Sequence, residues 1–80
     1  MKKVLILEDE LNIRSFVVIN LKRAGYDVIE AGTGMEALEK LTQNPDIGVA
    51  ILDVMLPDID GFEVCLNIRA TNKQIGIIML

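Results

Sequence analysis

Val49-Ala50-Ile51-Leu52-Asp53 is a run of four apolar residues closed by an acid, and Val4-Leu5-Ile6-Leu7-Glu8-Asp9 has the same form. Neither run alternates apolar with polar, as a half-exposed strand would. Short, branched, wholly apolar runs read as strands buried on both faces. Two more fit around them. Tyr26-Asp27-Val28-Ile29-Glu30-Ala31 is short and β-prone, and Ile75 to Leu80 is a last apolar run.

Helical patterns separate these strands. Ile13, Phe16, Val17, Leu21 and Ala24 recur at helical spacing, with Gly25 placed to cap the end. Val18 and Ile19 widen that stripe or offer an interface. Glu10 lies where this helix begins, where an acid favours the helix dipole. Thr33 stands three residues before Glu36, a capping box opening a second helix whose stripe is Ala37, Leu38 and Leu41. Asn44-Pro45 ends it. A loop runs from Val54 to Gly61, and a third helix follows to about Arg69, with Phe62, Cys65 and Ile68 on one side. Asn72 and Lys73 are turn-like. The order βαβαβαβ, with strands apolar on both faces, predicts an α/β fold with a parallel sheet between helices and right-handed crossovers.

Composition narrows the function. The chain has 80 residues, 51% hydrophobic and 25% charged, which suits one small globular domain and not a disordered tail. A net charge of −4 argues against nucleic-acid binding by this chain, which needs clustered Lys and Arg. The single Cys65 permits no internal disulfide and fits a reducing, cytoplasmic setting. It reads as an inert packing residue, as do Met35, Met55 and Met79. The absence of histidine excludes His-based metal sites and His general bases. The first apolar run is too short for a signal peptide or a membrane span.

Three acids follow two of the buried strands: Glu8 and Asp9 after the first, Asp53 after the third. Ligands of open parallel sheets bind outside the carboxyl ends of the strands. Were the first and third strands neighbours, these acids would meet. Two unit charges about 5 Å apart repel by roughly 3 kcal/mol at an effective dielectric of about 20. Such a group calls for a cation or a raised pKa, and oxygen-only ligands suit Mg²⁺. Spacing alone leaves a second reading open, in which these are solvated loop acids or helix caps. An EF-hand reading of Asp58-Ile59-Asp60-Gly61 fails, because Gly comes too early and the rest of the ligand ladder is missing.

These residues carry a family resemblance. Lys3-Val4-Leu5-Ile6-Leu7-Glu8-Asp9-Glu10, Asp53-Val54-Met55-Leu56-Pro57-Asp58-Ile59-Asp60-Gly61 and Ile77-Ile78-Met79-Leu80 together resemble the receiver domain of two-component response regulators. The resemblance covers the whole chain. It implies a flavodoxin-like, doubly wound sheet with strand order 2-1-3-4. It implies that Asp53 is the phosphoacceptor for a sensor histidine kinase. Glu8, Asp9, Asp53 and the backbone carbonyl of Met55 would then hold Mg²⁺. Pro57 would stiffen the loop and Gly61 would permit an awkward turn into the third helix. Such receivers catalyse only their own phosphorylation and dephosphorylation and are not enzymes with a separate substrate.

The sequence departs from the family pattern after its fourth strand. A complete receiver adds a fifth strand, two helices, a Ser or Thr after the fourth strand and a Lys after the fifth. Residues 1–80 therefore read as a partial receiver, truncated and impaired in phosphorylation. The exposed fourth strand, with Ile75, Ile77, Ile78 and Met79, is a pairing edge. Through it the chain is expected to form a homodimer or to bind a complementary fragment. Leu66 lies on the polar side of the third helix and is a further candidate contact. A self-associating module with an unused acidic pocket is the alternative function. A flavodoxin-like nucleotide binder is disfavoured, since Glu8-Asp9-Glu10 stands where a phosphate loop would be.

Overall fold

A computed structural model describes residues 2–53, 56, 58–71 and 74–80. The elements are β1 (Lys3–Leu7), α1 (Leu11–Arg23), β2 (Asp27–Ala31), α2 (Gly34–Gln43), β3 (Ile47–Leu52), α3 (Gly61–Thr71) and β4 (Gly76–Met79). All the strand pairs are parallel, in the order β2-β1-β3-β4. The expected βαβαβαβ order and the 2-1-3-4 sheet are both present.

The apolar runs explain the layering. Side chains alternate across a strand, and β1 is buried on both faces through Val4, Leu5, Ile6 and Leu7. Leu5 and Leu7 join Ala50, Leu52 and Ala31 in a core with Ala37 of α2 and Val64 and Ile68 of α3. Val4 and Ile6 face the opposite layer, where α1 packs against β1 and β2. Burying a Leu or Ile side chain contributes about 1.5–3 kcal/mol, so these central residues supply most of the driving force.

Helix ends follow the sequence closely. Glu10 caps α1 by accepting from the Asn12 and Ile13 amides. At the other end Gly25 has φ 93°. Its N–H donates to Lys22 O and that of Tyr26 to Leu21 O, the paired bonds of a Schellman motif. Thr33 caps α2 by accepting from Glu36 N–H. The Glu36 carboxylate reaches back to the Gly32 amide, not to that of Thr33, so the capping box closes one residue early.

Several expectations need correction. In α1 the buried residue is Val18, while Ile13, Ile19 and Ala24 are exposed and Phe16 is 70% exposed. The helix carries apolar residues on nearly every side, so spacing could not choose the sheet-facing one. In α3 the core positions are Val64 and Ile68, while Phe62 is exposed and Cys65 half-buried. Met35, read as packing, is exposed. Ile75 precedes β4 and is only 3% exposed, because its side chain joins the core. It is therefore not available to an interface. Ile77 and Met79 are half-buried against the same core. Ile78 and Leu66 are exposed, as a contact position requires. The turn read at Asn72 and Lys73 lies outside the described residues.

Candidate functional site

Register brings the acids together. Leu7 pairs with Ala31 on one side and Leu52 on the other, and Leu52 pairs with Met79, so the four strands end in one row. The next residue of β1 is Glu8 and the next of β3 is Asp53. The ladder continues into both. Glu8 N–H donates to Ala31 O at 3.1 Å, and Asp53 N–H donates to Leu7 O at 2.9 Å. Parallel neighbours lie about 4.7–4.9 Å apart, so the two residues emerge side by side. One carboxylate oxygen each from Glu8, Asp9 and Asp53 lie within 4.8 Å of one another. Sites separated by some forty-five positions in the chain are thus one cluster because two strands end level.

The three acids are not equivalent. Glu8 is only 7% exposed, Asp53 is half-buried and Asp9 is exposed. The Glu10 amide donates to Glu8 Oε1 at 3.1 Å, and the Arg14 guanidinium donates to Glu8 O at 2.8 Å. Arg14 also pairs with Glu30 at 3.2 Å. Burial pushes the Glu8 carboxyl above the ordinary glutamate range. The Glu10 amide opposes that rise, and the neighbouring Asp53 and Asp9 carboxyls add to it. A buried acid held beside two others is where a small cation would relieve both burial and repulsion. The donor set is all oxygen, the kind Mg²⁺ takes.

Of the other sequence-derived site residues, Met55 and Pro57 lie outside the described residues. Gly61 is buried in the first turn of α3. Among the described residues the glycine with a left-handed φ is Gly25, so Gly61 does not supply the awkward turn expected of it.

Two residues with structural bonds at this end of the chain's elements were missed: Arg14 beside the cluster and Asp58 at the start of α2. Arg14 fixes the Glu8 carbonyl from α1; its only sequence signal is its place on the first turns of the helix after the acids. Asp58 accepts from the Gly34 and Met35 amides, both at 2.9 Å. Those donors hold its carboxyl below the usual aspartate range, Met35 foremost. Nothing local in the sequence pairs Asp58 with α2.

Among the described residues no helix is long and apolar enough to cross a membrane.

Comparison with known proteins agrees with this geometry. The chain is 48% identical over 80 residues to the alkaline phosphatase synthesis transcriptional regulatory protein PhoP of Bacillus subtilis, covering 99% of this chain and 32% of that protein. It is 41% identical to the chemotaxis protein CheY1 of Helicobacter pylori, covering 98% of this chain and 65% of that one. The chain thus spans about a third of the length of the transcriptional regulators it matches. Among solved structures, the response regulator TrrA of Thermotoga maritima, in complex with Mg²⁺-BeF, superposes with a TM-score of 0.94 at 38% identity. That match covers 99% of this chain and 68% of TrrA. TrrA in complex with the histidine kinase ThkA matches with a TM-score of 0.92. The family model for the response regulator receiver domain matches residues 4–80, and the chain belongs to the response regulator receiver domain family.

Proposed function

We propose that Asp53 accepts a phosphoryl group from a sensor histidine kinase, at a Mg²⁺ site formed with Glu8 and Asp9. The observation that carries this reading is the meeting of the three carboxylates within 4.8 Å at the carboxyl ends of β1 and β3. A histidine kinase in complex with the related TrrA, and Mg²⁺-BeF on the same protein, support the partner and the ion. The backbone carbonyl of Met55 completes the ligand set by resemblance to the family.

In this reading an Asp53 carboxylate oxygen attacks phosphorus while the bond from phosphorus to the donor's imidazole nitrogen breaks. The electron pair leaves with that nitrogen, and an acyl phosphate remains on Asp53. The ladder bond from Asp53 N–H to Leu7 O fixes the nucleophile's backbone against β1. Glu8 and Asp9 hold the cation. Glu8 is itself oriented by the Glu10 amide and tethered through its carbonyl by Arg14. Bound Mg²⁺ supplies neutralisation of charge on the phosphoryl oxygens. The activity is self-modification, with no separate substrate turned over, and the reading places the chain in the cytoplasm.

Acetyl phosphate with Mg²⁺ tests it, read by intact mass and peptide mapping. One added phosphoryl group on Asp53, dependent on Mg²⁺ and lost in Asp53→Asn, supports the reading. An unmodified parent would overturn it and favour the second reading, self-association without phosphorylation. That second reading is supported by Ile78, which is exposed on the outermost strand of the sheet. Sedimentation equilibrium separates monomer from homodimer, and Ile78→Lys should abolish a dimer built on this edge.

A further inference from the structure

We propose that Arg14 is a positioning residue of the acidic site: it locks the peptide unit shared by Glu8 and Asp9, and so sets their carboxylates at the spacing a small cation needs. The inference rests on the metal-site reading above and deepens it.

A peptide unit is planar and carries the Cα atoms of both its residues. Holding its carbonyl therefore holds two side chains at once. Glu8 O belongs to the unit that joins Glu8 to Asp9, and Arg14 Nη1 donates to it at 2.8 Å. The preceding unit is held from both sides. Its N–H, that of Glu8, donates to Ala31 O on β2, and its carbonyl, Leu7 O, accepts from Asp53 N–H. Those two bonds are backbone pairs that the strands make whatever their side chains. The bond to Glu8 O comes from a side chain, so it depends on the residue at position 14.

The guanidinium is itself braced. Its Nε pairs with Glu30 Oε1 at 3.2 Å, and the Arg14 side chain is only 18% exposed. Glu30 lies beside Ile6 in the β1–β2 register, on the sheet face that α1 covers. Gly32, just past β2, leaves the room, since a Cβ there would lie 2.8 Å from Arg14 Nη1. The Glu36 carboxylate accepts from the Gly32 amide at 2.7 Å and holds that wall in place. A planar fork spent on a carbonyl and a carboxylate is a stiffer brace than the point charge of a lysine.

Stiffness and charge act in opposite directions here. A cationic side chain beside the cluster repels an incoming cation, so removing a bystander arginine should tighten metal binding. Removing a group that orients metal ligands instead weakens it, typically about 10–100-fold. Mg²⁺ demands near-ideal octahedral geometry at about 2.0–2.1 Å, whereas Ca²⁺ accepts longer and more variable bonds. A locked Glu8–Asp9 unit therefore favours Mg²⁺ over Ca²⁺.

The test is calorimetric titration of the 80-residue chain with Mg²⁺ and with Ca²⁺, beside the carbonyl ¹³C signal of Glu8 in metal-free buffer. Arg14→Met keeps an unbranched side chain and removes its donors. It is expected to move the Glu8 carbonyl signal, to weaken Mg²⁺ binding about tenfold and to weaken Ca²⁺ binding by less. Arg14→Lys, which returns the charge and one donor group, is expected to recover part of the Mg²⁺ affinity. Lys3→Met removes the same charge and an ion pair with Asp46 at the opposite end of the sheet, and is expected to leave Mg²⁺ binding unchanged. The proposal is overturned if Arg14→Met binds Mg²⁺ as well as the parent or better, or if its Glu8 carbonyl signal stays in place. It is equally overturned if Mg²⁺ and Ca²⁺ are weakened alike, if Arg14→Lys is no better than Arg14→Met, or if Lys3→Met loses as much. A parent that binds no Mg²⁺ would sink the metal reading instead, and the carbonyl signal would still decide whether Arg14 holds the peptide.

Discussion

Replacing Asp53 with Asn should make the metal-free protein more stable, although it removes the residue on which the proposed function depends. The three carboxylates offer oxygens within 4.8 Å of one another. At that separation a pair of unit charges repels by about 3.5 kcal/mol at a dielectric of about 20 and by about 0.9 kcal/mol in water. Asp9 is exposed and Asp53 half-buried, so the aqueous end of that range applies best. Asp53→Asn removes two of the three pairs and keeps the side chain's shape. The expected gain is about 1–2 kcal/mol, or roughly 4–16 °C in Tm for a chain of this size. Urea unfolding in chelator, above the raised Glu8 pKa, reads it directly. The midpoint should rise in Asp53→Asn with an unchanged slope, and added Mg²⁺ should narrow the gap by stabilising the parent more. A destabilised Asp53→Asn in chelator would refute the reasoning, because it would mean that the cluster is not repulsive.

Further outcomes follow from burial and backbone. Leu5→Ala should cost about 2–5 kcal/mol in chemical unfolding, since Leu5 is fully buried at the centre of the sheet. Gly25→Ala should cost about 1 kcal/mol from its φ alone, as nothing lies within 4 Å of an added Cβ. Gly34→Ala should cost more, about 1–3 kcal/mol, by displacing Ile59. Glu8 also sets a pH dependence. Its folded pKa is raised, so its contribution to stability is present below the ordinary glutamate value, about 4.3, and is lost as pH rises through the folded value. Parent and Glu8→Gln should therefore differ in metal-free stability more at neutral pH than at pH 4, with the variant the more stable. Equal differences at both pH values would contradict this.

The strands were legible because burial on both faces leaves no polar alternation, and few other arrangements suit Val4–Leu7 and Val49–Leu52. The acidic cluster was legible for a related reason: acids that terminate such runs must lie at one edge of a parallel sheet. Its closeness was not, since it depends on Leu7 and Leu52 ending level, a matter of register. The facing of α1 was illegible because Leu11, Ile13, Phe16, Val17, Val18, Ile19 and Leu21 leave few directions polar. Asp58 was read only as part of a loop, because its partners are 23 and 24 residues away on another helix. Ile75 looked like strand edge from its neighbours, yet its side chain turns into the core. Sequence spacing carried the short-range periodicities, while the long-range pairings needed coordinates.

The account rests on a single divalent site shared by Glu8, Asp9 and Asp53. Paramagnetic broadening by Mn²⁺, a surrogate for Mg²⁺, tests it most directly. Substoichiometric Mn²⁺ should first erase the amide signals of Glu8, Asp9, Glu10 and Asp53, and excess Mg²⁺ should restore them. Broadening centred on Asp58 and Asp60, or spread evenly over the acidic surface, would contradict it.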